Sequence, residues 1–292
     1  MQKIAKSVQA CYNKPMKRSW LDGKTFLISG ASSGLGRGLA EKLISFHDCR
    51  IIGIGRSEKK FKDFIASLKE NANKFSYRVF DVTDEAKWIS LARELKENGV
   101  KIDGLINCAG MLPPFRSAVK TAVSDTEIVI KTNFLSCVYA VNAVYPLLAA
   151  SDTPAIVNIS SAAALATIVG TSAYSASKSA LKSYTEALSL ELRGKVYVSL
   201  VMPGFARTGI FRLQNTSIED DKLIRSFCMP ADKMTNKIYR GLKRKKTRMV
   251  IGKDARAMDF FYRLFPKPTM LAVKAVLRRA KIKLFEEVFD EE

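Results

Sequence analysis

"ISGASSGLGRGLA", residues 28–40, is the stretch on which the fold turns. An apolar run, "TFLIS" (25–29), leads into it and a helical pattern follows, so Gly30, Gly34 and Gly36 fall at a strand-to-helix turn. A helix N-terminus carries unpaired N–H groups and partial positive charge, and glycine lets a phosphate come close to the backbone. With Ser32, Ser33 and Leu35 set among its glycines, the turn is a candidate pyrophosphate cradle. Glycines alone would equally suit a packing turn. Their place directly after the first strand is what makes them informative.

The alternation of strand and helix runs on from there. Apolar runs at 50–54, 77–81, 102–107, 155–160, 196–201 and 248–252 are separated by helical patterns near 35–47, 58–70, 84–98, 124–148, 173–193 and 231–243. Strands that are apolar throughout, with helices between them, predict a parallel sheet covered on both faces. The fold class is α/β, a Rossmann-like doubly wound sheet of about seven strands with a C-terminal helical extension. The expected divisions are a basic N-terminal extension (1–20), a dinucleotide-binding catalytic domain (21–253) and a basic amphipathic extension (254–292). In such sheets the ligand crevice lies at the carboxyl ends of the strands.

An NAD-type site places an Asp or Glu at the end of the second strand, about 20 residues after the glycines. Here that place reads Gly55-Arg56-Ser57. A guanidinium there suits a 2′-phosphate through charge-assisted, bidentate contact, so NADP(H) is expected.

With these pieces in order, the chain resembles the short-chain dehydrogenase/reductase family. The resemblance rests on the turn from Ser29 to Gly36, on Asp81 with Val82, on "NCAG" (107–110) and on "PGFART" (203–208), and it covers roughly residues 22–210. Cys108 departs from the family's Asn-Asn-Ala-Gly. The resemblance implies that Asp81 and Val82 contact the adenine, and that Asn107, Ala109 and Gly110 support the strand ends and the cofactor. It also implies that Pro203, Gly204 and Thr208 lie over the nicotinamide, that the protein is a homo-oligomer (dimer or tetramer), and that a lid spans about 205–229.

Tyr174 and Lys178, in "AYSASKSA" (173–180), stand four apart and share a helix face. Ser161 lies thirteen residues before Tyr174, and Asn133 sits in the long helix before that. The resemblance implies that Asn133, Ser161, Tyr174 and Lys178 form a catalytic tetrad. Hydride transfer to a ketone builds negative charge on the carbonyl oxygen, which a donor must neutralise. A free phenol, with a pKa near 10, is a weak acid for this work. Lys178 is placed to lower that value, as is the positive ring of the oxidised cofactor. By the resemblance Lys178 also binds the nicotinamide ribose and completes a proton relay through water held at Asn133. Ser161 would hydrogen-bond the substrate oxygen, with Ser160 as the adjacent alternative that the thirteen-residue spacing disfavours.

Composition removes other chemistries. His47 is the only histidine, which excludes Ser-His-Asp and Cys-His schemes and multi-histidine metal sites, so no metal is expected. Five scattered cysteines form no Cys-x-x-Cys pair and suit a reducing, cytoplasmic setting. His47 reads as structural, Cys49 and Cys137 read as core residues, and Trp20 and Trp88 have no assigned role. The N-terminal stretch lacks the apolar block of a signal peptide, and the longest apolar run, 137–150, is broken by Asn142 and Pro146.

The net charge of +20 is uneven: residues 237–283 carry sixteen Lys/Arg against two acids, while 284–292 carry five acids. Met270, Val273, Leu277, Ala280 and Leu284 follow a helical period, with Lys274, Arg278 and Lys281 on another face, beside Phe260, Phe261, Tyr262 and Phe265. Such a helix could lie on an anionic membrane or dock on its own or a partner subunit. An acidic carrier protein is a further partner that charge allows; nucleic acid is not expected. In the lid, Phe205, Ile210, Phe211 and Leu213 would form an apolar ceiling, and the small residues of 162–173 a wall. The expected function is NADP(H)-dependent interconversion of a carbonyl and a secondary alcohol on a lipophilic substrate, a steroid, 3-keto lipid or similar, with Ser161, Tyr174, Phe205 and Phe211 against it. The alternative is a non-enzymatic NADP-binding sensor or surface-tethered protein.

Overall fold

The computed structural model describes residues 19–214, 228–279 and 285–289; Cys11, Ala280, Lys281 and Leu284 lie outside the described residues. Seven parallel strands form the main sheet. Its strands are β1 (Thr25–Ser29), β2 (Arg50–Gly55), β3 (Phe75–Val79), β4 (Gly104–Asn107), β5 (Ala155–Ile159), β6 (Tyr197–Pro203) and, after the two-residue pair β7 (Ala206–Arg207) and β8 (Met229–Pro230), β9 (Arg248–Ile251). The order is β3-β2-β1-β4-β5-β6-β9, reversing between β1 and β4. That reversal is where an open α/β sheet leaves its crevice.

The helices are α1 (Gly34–His47), α2 (Glu58–Ser67), α3 (Glu85–Glu97), α4 (Val123–Ile130), α5 (Ser136–Leu148), α6 (Ser172–Glu191), α7 (Ala231–Lys243), α8 (Lys253–Leu264), α9 (Pro266–Arg279) and the single turn α10 (Glu286–Phe289). Side chains alternate across each strand, so β1 sends Phe26 and Ile28 to one layer and Leu27 to the other. The first layer packs Leu39 and Leu43 of α1, Phe61 and Phe64 of α2, and Met234 and Ile238 of α7. The second packs Trp88 and Leu91 of α3, Val141 and Val144 of α5, and Leu188 of α6. Each such side chain taken out of water contributes roughly 1.5–3 kcal/mol.

Val123–Leu148 is long and apolar enough to cross a membrane by length and composition. In the fold it is a core-facing helix, with Val129, Ala140, Val144 and Leu148 fully buried. A turn of π-helix, Lys131–Leu135, joins α4 to α5. His47 is buried at the end of α1, between Asp22 and the Tyr239 hydroxyl, 2.9 Å from its Nε2. Cys49 and Cys137 are buried thiols, and Trp88 donates to the Val82 carbonyl at 2.9 Å.

Several expected strand limits shift by one or two residues, and two of the starts by two. The third strand begins at Phe75 rather than Tyr77, because the buried Phe75 side chain pairs with Ile51. The fourth begins at Gly104 rather than Ile102. Both shifts leave the carboxyl ends, and the residues that follow them, at the crevice.

Candidate active site

The first strand end is tied to the fourth by one hydroxyl. Ser29 Oγ accepts from Cys108 N–H at 3.1 Å and Ala109 N–H at 3.2 Å, which brings the glycine turn against the 107–110 loop. A Cβ on Gly36 would run into the Gly30 carbonyl, and Gly30 itself has φ +72°, so the turn closes only with glycine at both places. No side chain caps α1, leaving the N–H groups of its first turn for a ligand. Gly30, Ser33, Gly34, Leu35 and Gly36 all line the cleft, and Thr208 faces Gly34 from the other side. The bare helix end and its glycine cradle fit a dinucleotide pyrophosphate.

Outside the residues that line this cleft, Arg56 follows β2 and Asp81 follows β3, their charged groups 3.5 Å apart. Burial pushes the Asp81 carboxyl up, but hydrogen bonds from Thr83 N–H and hydroxyl, with the Arg56 guanidinium, bring it below the ordinary value. Arg56 is two-thirds exposed, and the Ser32 hydroxyl lies 3.2 Å from where a Gly55 Cβ would stand. Val82 is buried against the second core layer. Asn107 donates to Asn158 at 2.8 Å, Asn158 to Thr185 at 2.9 Å, and Asn107 Oδ1 has no partner among the described residues.

The reacting end gathers on α6. Ser160 donates to the Lys178 carbonyl at 2.8 Å, while Ser161, on the next residue, faces the cleft within hydrogen-bond reach of the Tyr174 phenol. Extended backbone at Ser161 turns the two hydroxyls to opposite sides. Asn133 is fully buried in the π-turn: Oδ1 accepts from Met111 N–H at 2.8 Å, and Nδ2 donates to Met111 O at 2.9 Å and Ser177 Oγ at 3.0 Å. Its side chain therefore holds the 110–112 loop and α6 together. Asn133 Oδ1 and Lys178 Nζ come within 3.2 and 3.4 Å of where a Gly110 Cβ would stand, so they converge on that glycine.

One electrostatic expectation is corrected. Tyr174 is not lowered: burial pushes its phenol above the ordinary value, opposed by the Ser161 hydrogen bond. Lys178 Nζ stands 5.9 Å from the Tyr174 ring centroid and donates instead to the Ile159 carbonyl at 3.0 Å. Burial pushes the Lys178 ammonium down, against the pull of the Cys137 and Cys108 thiols, which burial in turn raises to about 11 and about 12. Low dielectric disfavours every charged form here.

The short chain dehydrogenase family profile matches residues 24–219. The chain belongs to the short-chain dehydrogenase family. It is 34% identical over 193 residues to a benzil reductase ((S)-benzoin forming) of Saccharomyces cerevisiae, covering 64% of this chain and 73% of that protein. A short-chain dehydrogenase from Sphingobium yanoikuyae in complex with NADPH superposes with TM-score 0.69 at 27% identity, over 77% of this chain and 87% of that one. A short chain dehydrogenase/reductase from Burkholderia phymatum in complex with NAD gives 0.68 at 25% identity, over 78% and 89%. The family is one of oxidoreductases.

Beyond Thr208 and Tyr174 the cleft of this short-chain dehydrogenase turns apolar. Phe205, Ile210, Phe211 and Leu213 line it with Ala162, Ala163, Ile168 and Thr171, and residues 215–227 of the expected lid lie outside the described residues. Pro203 and Gly204 line the end of β6, where Phe205 N–H donates to Asp254 of α8 at 2.9 Å. Several contributors have no sequence signal. Met111, Leu112 and Phe115 complete the apolar wall from the loop after β4. Gln214 stitches that loop to the segment after β7, accepting from Phe115 N–H at 3.2 Å and donating to Pro113 O at 2.8 Å. Phe285 and Val288 of the C-terminal segment back the same wall.

Of the arrangements open to the basic tail, docking on its own subunit is the one that α9 adopts on one side. The side of α9 carrying Val273 and Leu277 turns toward the protein, and Leu277 packs on the apolar wall of the cleft. Met270 of the same row stays exposed, and so do Phe260, Phe261, Leu264 and Phe265 at the corner between α8 and α9.

Proposed function

We propose that this short-chain dehydrogenase interconverts a carbonyl and a secondary alcohol with NADP(H), on a lipophilic substrate such as a steroid or 3-keto lipid. The observation that carries the reading is the meeting of Ser161 and Tyr174 at the boundary between the glycine-lined and the apolar halves of one cleft. Gly34, Leu35 and Gly36 would hold the pyrophosphate on their N–H groups, and Thr208 the carboxamide. Arg56 supports NADP(H) over NAD(H), since its guanidinium meets only one carboxylate among the described residues and suits a 2′-phosphate. Bound there, the cofactor supplies or takes the hydride.

The side chains do the rest. Ser161 Oγ donates to the substrate oxygen and fixes its direction. Tyr174 Oη gives its proton to that oxygen in reduction and takes it back in oxidation, and a phenol held protonated by burial favours the first. Lys178, buried at the floor, would meet the nicotinamide ribose, and Asn133 acts as a positioning residue and holds the relay water. Phe205 and Phe211 would cover the apolar part of the substrate, excluding water from the reacting atoms.

The setting we propose is the reducing cytoplasm, with a part in lipid metabolism and a homo-oligomeric state supported by exposed Val123 and Ile128 on α4. An NADPH-oxidation screen over steroids, 3-keto lipids and small aldehydes tests the reading. Turnover with the best kcat/KM on a bulky apolar ketone is the expected result. Turnover confined to small polar aldehydes would refute the substrate class, and none on any carbonyl would refute the activity.

A further inference from the structure

The corner between α8 and α9 leaves a run of large apolar side chains in water. Phe260, Phe261, Leu264 and Phe265 are 52–60% exposed, and Leu271 and Val276 are 57% and 60% exposed. Single exposed apolar residues are ordinary; a contiguous group on two adjoining helices marks a surface with a partner. These side chains do not serve the fold, because each helix already has an inner contact. Ala255 is buried beside Leu200 and Met202, and Met258 and Leu277 pack on the cluster that includes Phe115 and Ile168. On α9 the outer face of Pro268, Leu271, Ala272, Ala275 and Val276 lies opposite the Val273–Leu277 side and is exposed throughout.

Charge selects the partner. Lys253–Arg279 holds seven Lys/Arg and two acids. Both acids are engaged: Asp254 accepts from Phe205 N–H, and Asp259 binds Arg248 and Arg263. Lys253, Lys267 and Arg279 make no ion pair with a described residue. A second copy docked two-fold on this face would set the same cations against each other. An aromatic and aliphatic corner edged by lysine and arginine instead matches an anionic bilayer surface, where rings enter the headgroup region and cations meet phosphates.

We propose that the α8–α9 corner docks this protein peripherally on anionic membranes. The same two helices touch the apolar cleft on their inner side, so a substrate dissolved in the bilayer would enter along them. That second clause rests on the lipophilic-substrate reading; docking itself does not.

The test is co-sedimentation of the full chain with phosphatidylcholine vesicles and with vesicles of equal parts phosphatidylcholine and phosphatidylglycerol. Two variants accompany it, Phe260→Ser with Phe261→Ser and Phe265→Ser, and Lys267→Glu with Arg279→Glu. Expected are stronger binding to the anionic vesicles, weakening with salt, and a loss of at least about tenfold in each variant. All the altered side chains are exposed, so melting temperature and reduction of a soluble ketone should hold, which separates failed docking from failed catalysis. Equal binding to both vesicle types, or binding unchanged in both variants, overturns the proposal. So does a lipid-free dimer that the Phe variant dissociates in light scattering, which would assign the corner to a second copy.

Discussion

Phe285, near the end of the chain, stacks on Phe115 with ring centroids 4.7 Å apart and planes 22° apart. Phe115 lines the apolar half of the cleft, so a residue 170 positions away in sequence stiffens its wall. Phe285→Ala should raise KM for a bulky apolar ketone about 10-fold while changing kcat and the KM for NADPH little, since stacking and burial of one ring are at stake. Steady-state kinetics on one bulky and one small ketone checks this; equal effects on both would argue for general destabilisation instead.

Ser160 and Ser161 are neighbours with different partners. Ser161→Ala should lower kcat by about 10²–10³-fold, the cost of one donor to a developing oxyanion, and about 1 kcal/mol of stability, because its hydroxyl also accepts from Ala163 N–H. Ser160→Ala removes a second donor to the Lys178 carbonyl, which α6 already pairs within the helix, and should cost about 0.5–1.5 kcal/mol of stability with a smaller kinetic effect. Turnover on both variants separates the roles, and a reversed pattern would exchange the assignment.

Arg56→Ala should raise KM for NADPH about 10- to 100-fold and leave NADH nearly unchanged, because a charge-assisted contact to one phosphate is removed. Measuring both cofactors at one ionic strength is enough. Parallel losses would mean that Arg56 serves the loop rather than the 2′-phosphate.

The phenol of Tyr174 carries a pH signature. Burial favours its neutral form, so in the protein alone it should ionise above the ordinary value near 10. Ser161→Ala removes a hydrogen bond that favours the phenolate, so the midpoint should move higher still. Adding NADP⁺ should move it down, through the positive nicotinamide. Carbon-13 NMR of labelled tyrosine, assigned with Tyr174→Phe, follows all three shifts. A midpoint below 10 without cofactor would show that Lys178 outweighs burial.

What could be read from the sequence was what short spacing encodes. The glycine turn, the alternation of strands and helices, and the Ser161–Tyr174–Lys178 spacing each span few residues, and the fold places these groups along one cleft. Gln214, Asp254 and Phe285 act across 99, 49 and 170 positions, where no periodicity links the partners. The helical period of Met270, Val273 and Leu277 marked an apolar row, Met270 of which stays exposed, and period alone does not say what covers it. Here the protein covers Val273 and Leu277, and Leu271 and Val276 face water. The direction of the Tyr174 shift was hidden for a similar reason: the Lys178 stem is long enough to carry its ammonium to the Ile159 carbonyl instead of the phenol.

The central claim is that Tyr174 exchanges a proton with the substrate oxygen in a cleft built to hold NADP(H). Tyr174→Phe keeps the ring and removes only the hydroxyl, so NADPH binding by fluorescence titration should persist within about threefold. NADPH-dependent ketone reduction should fall by at least about 10³-fold. Reduction at near wild-type rate in Tyr174→Phe would contradict the account.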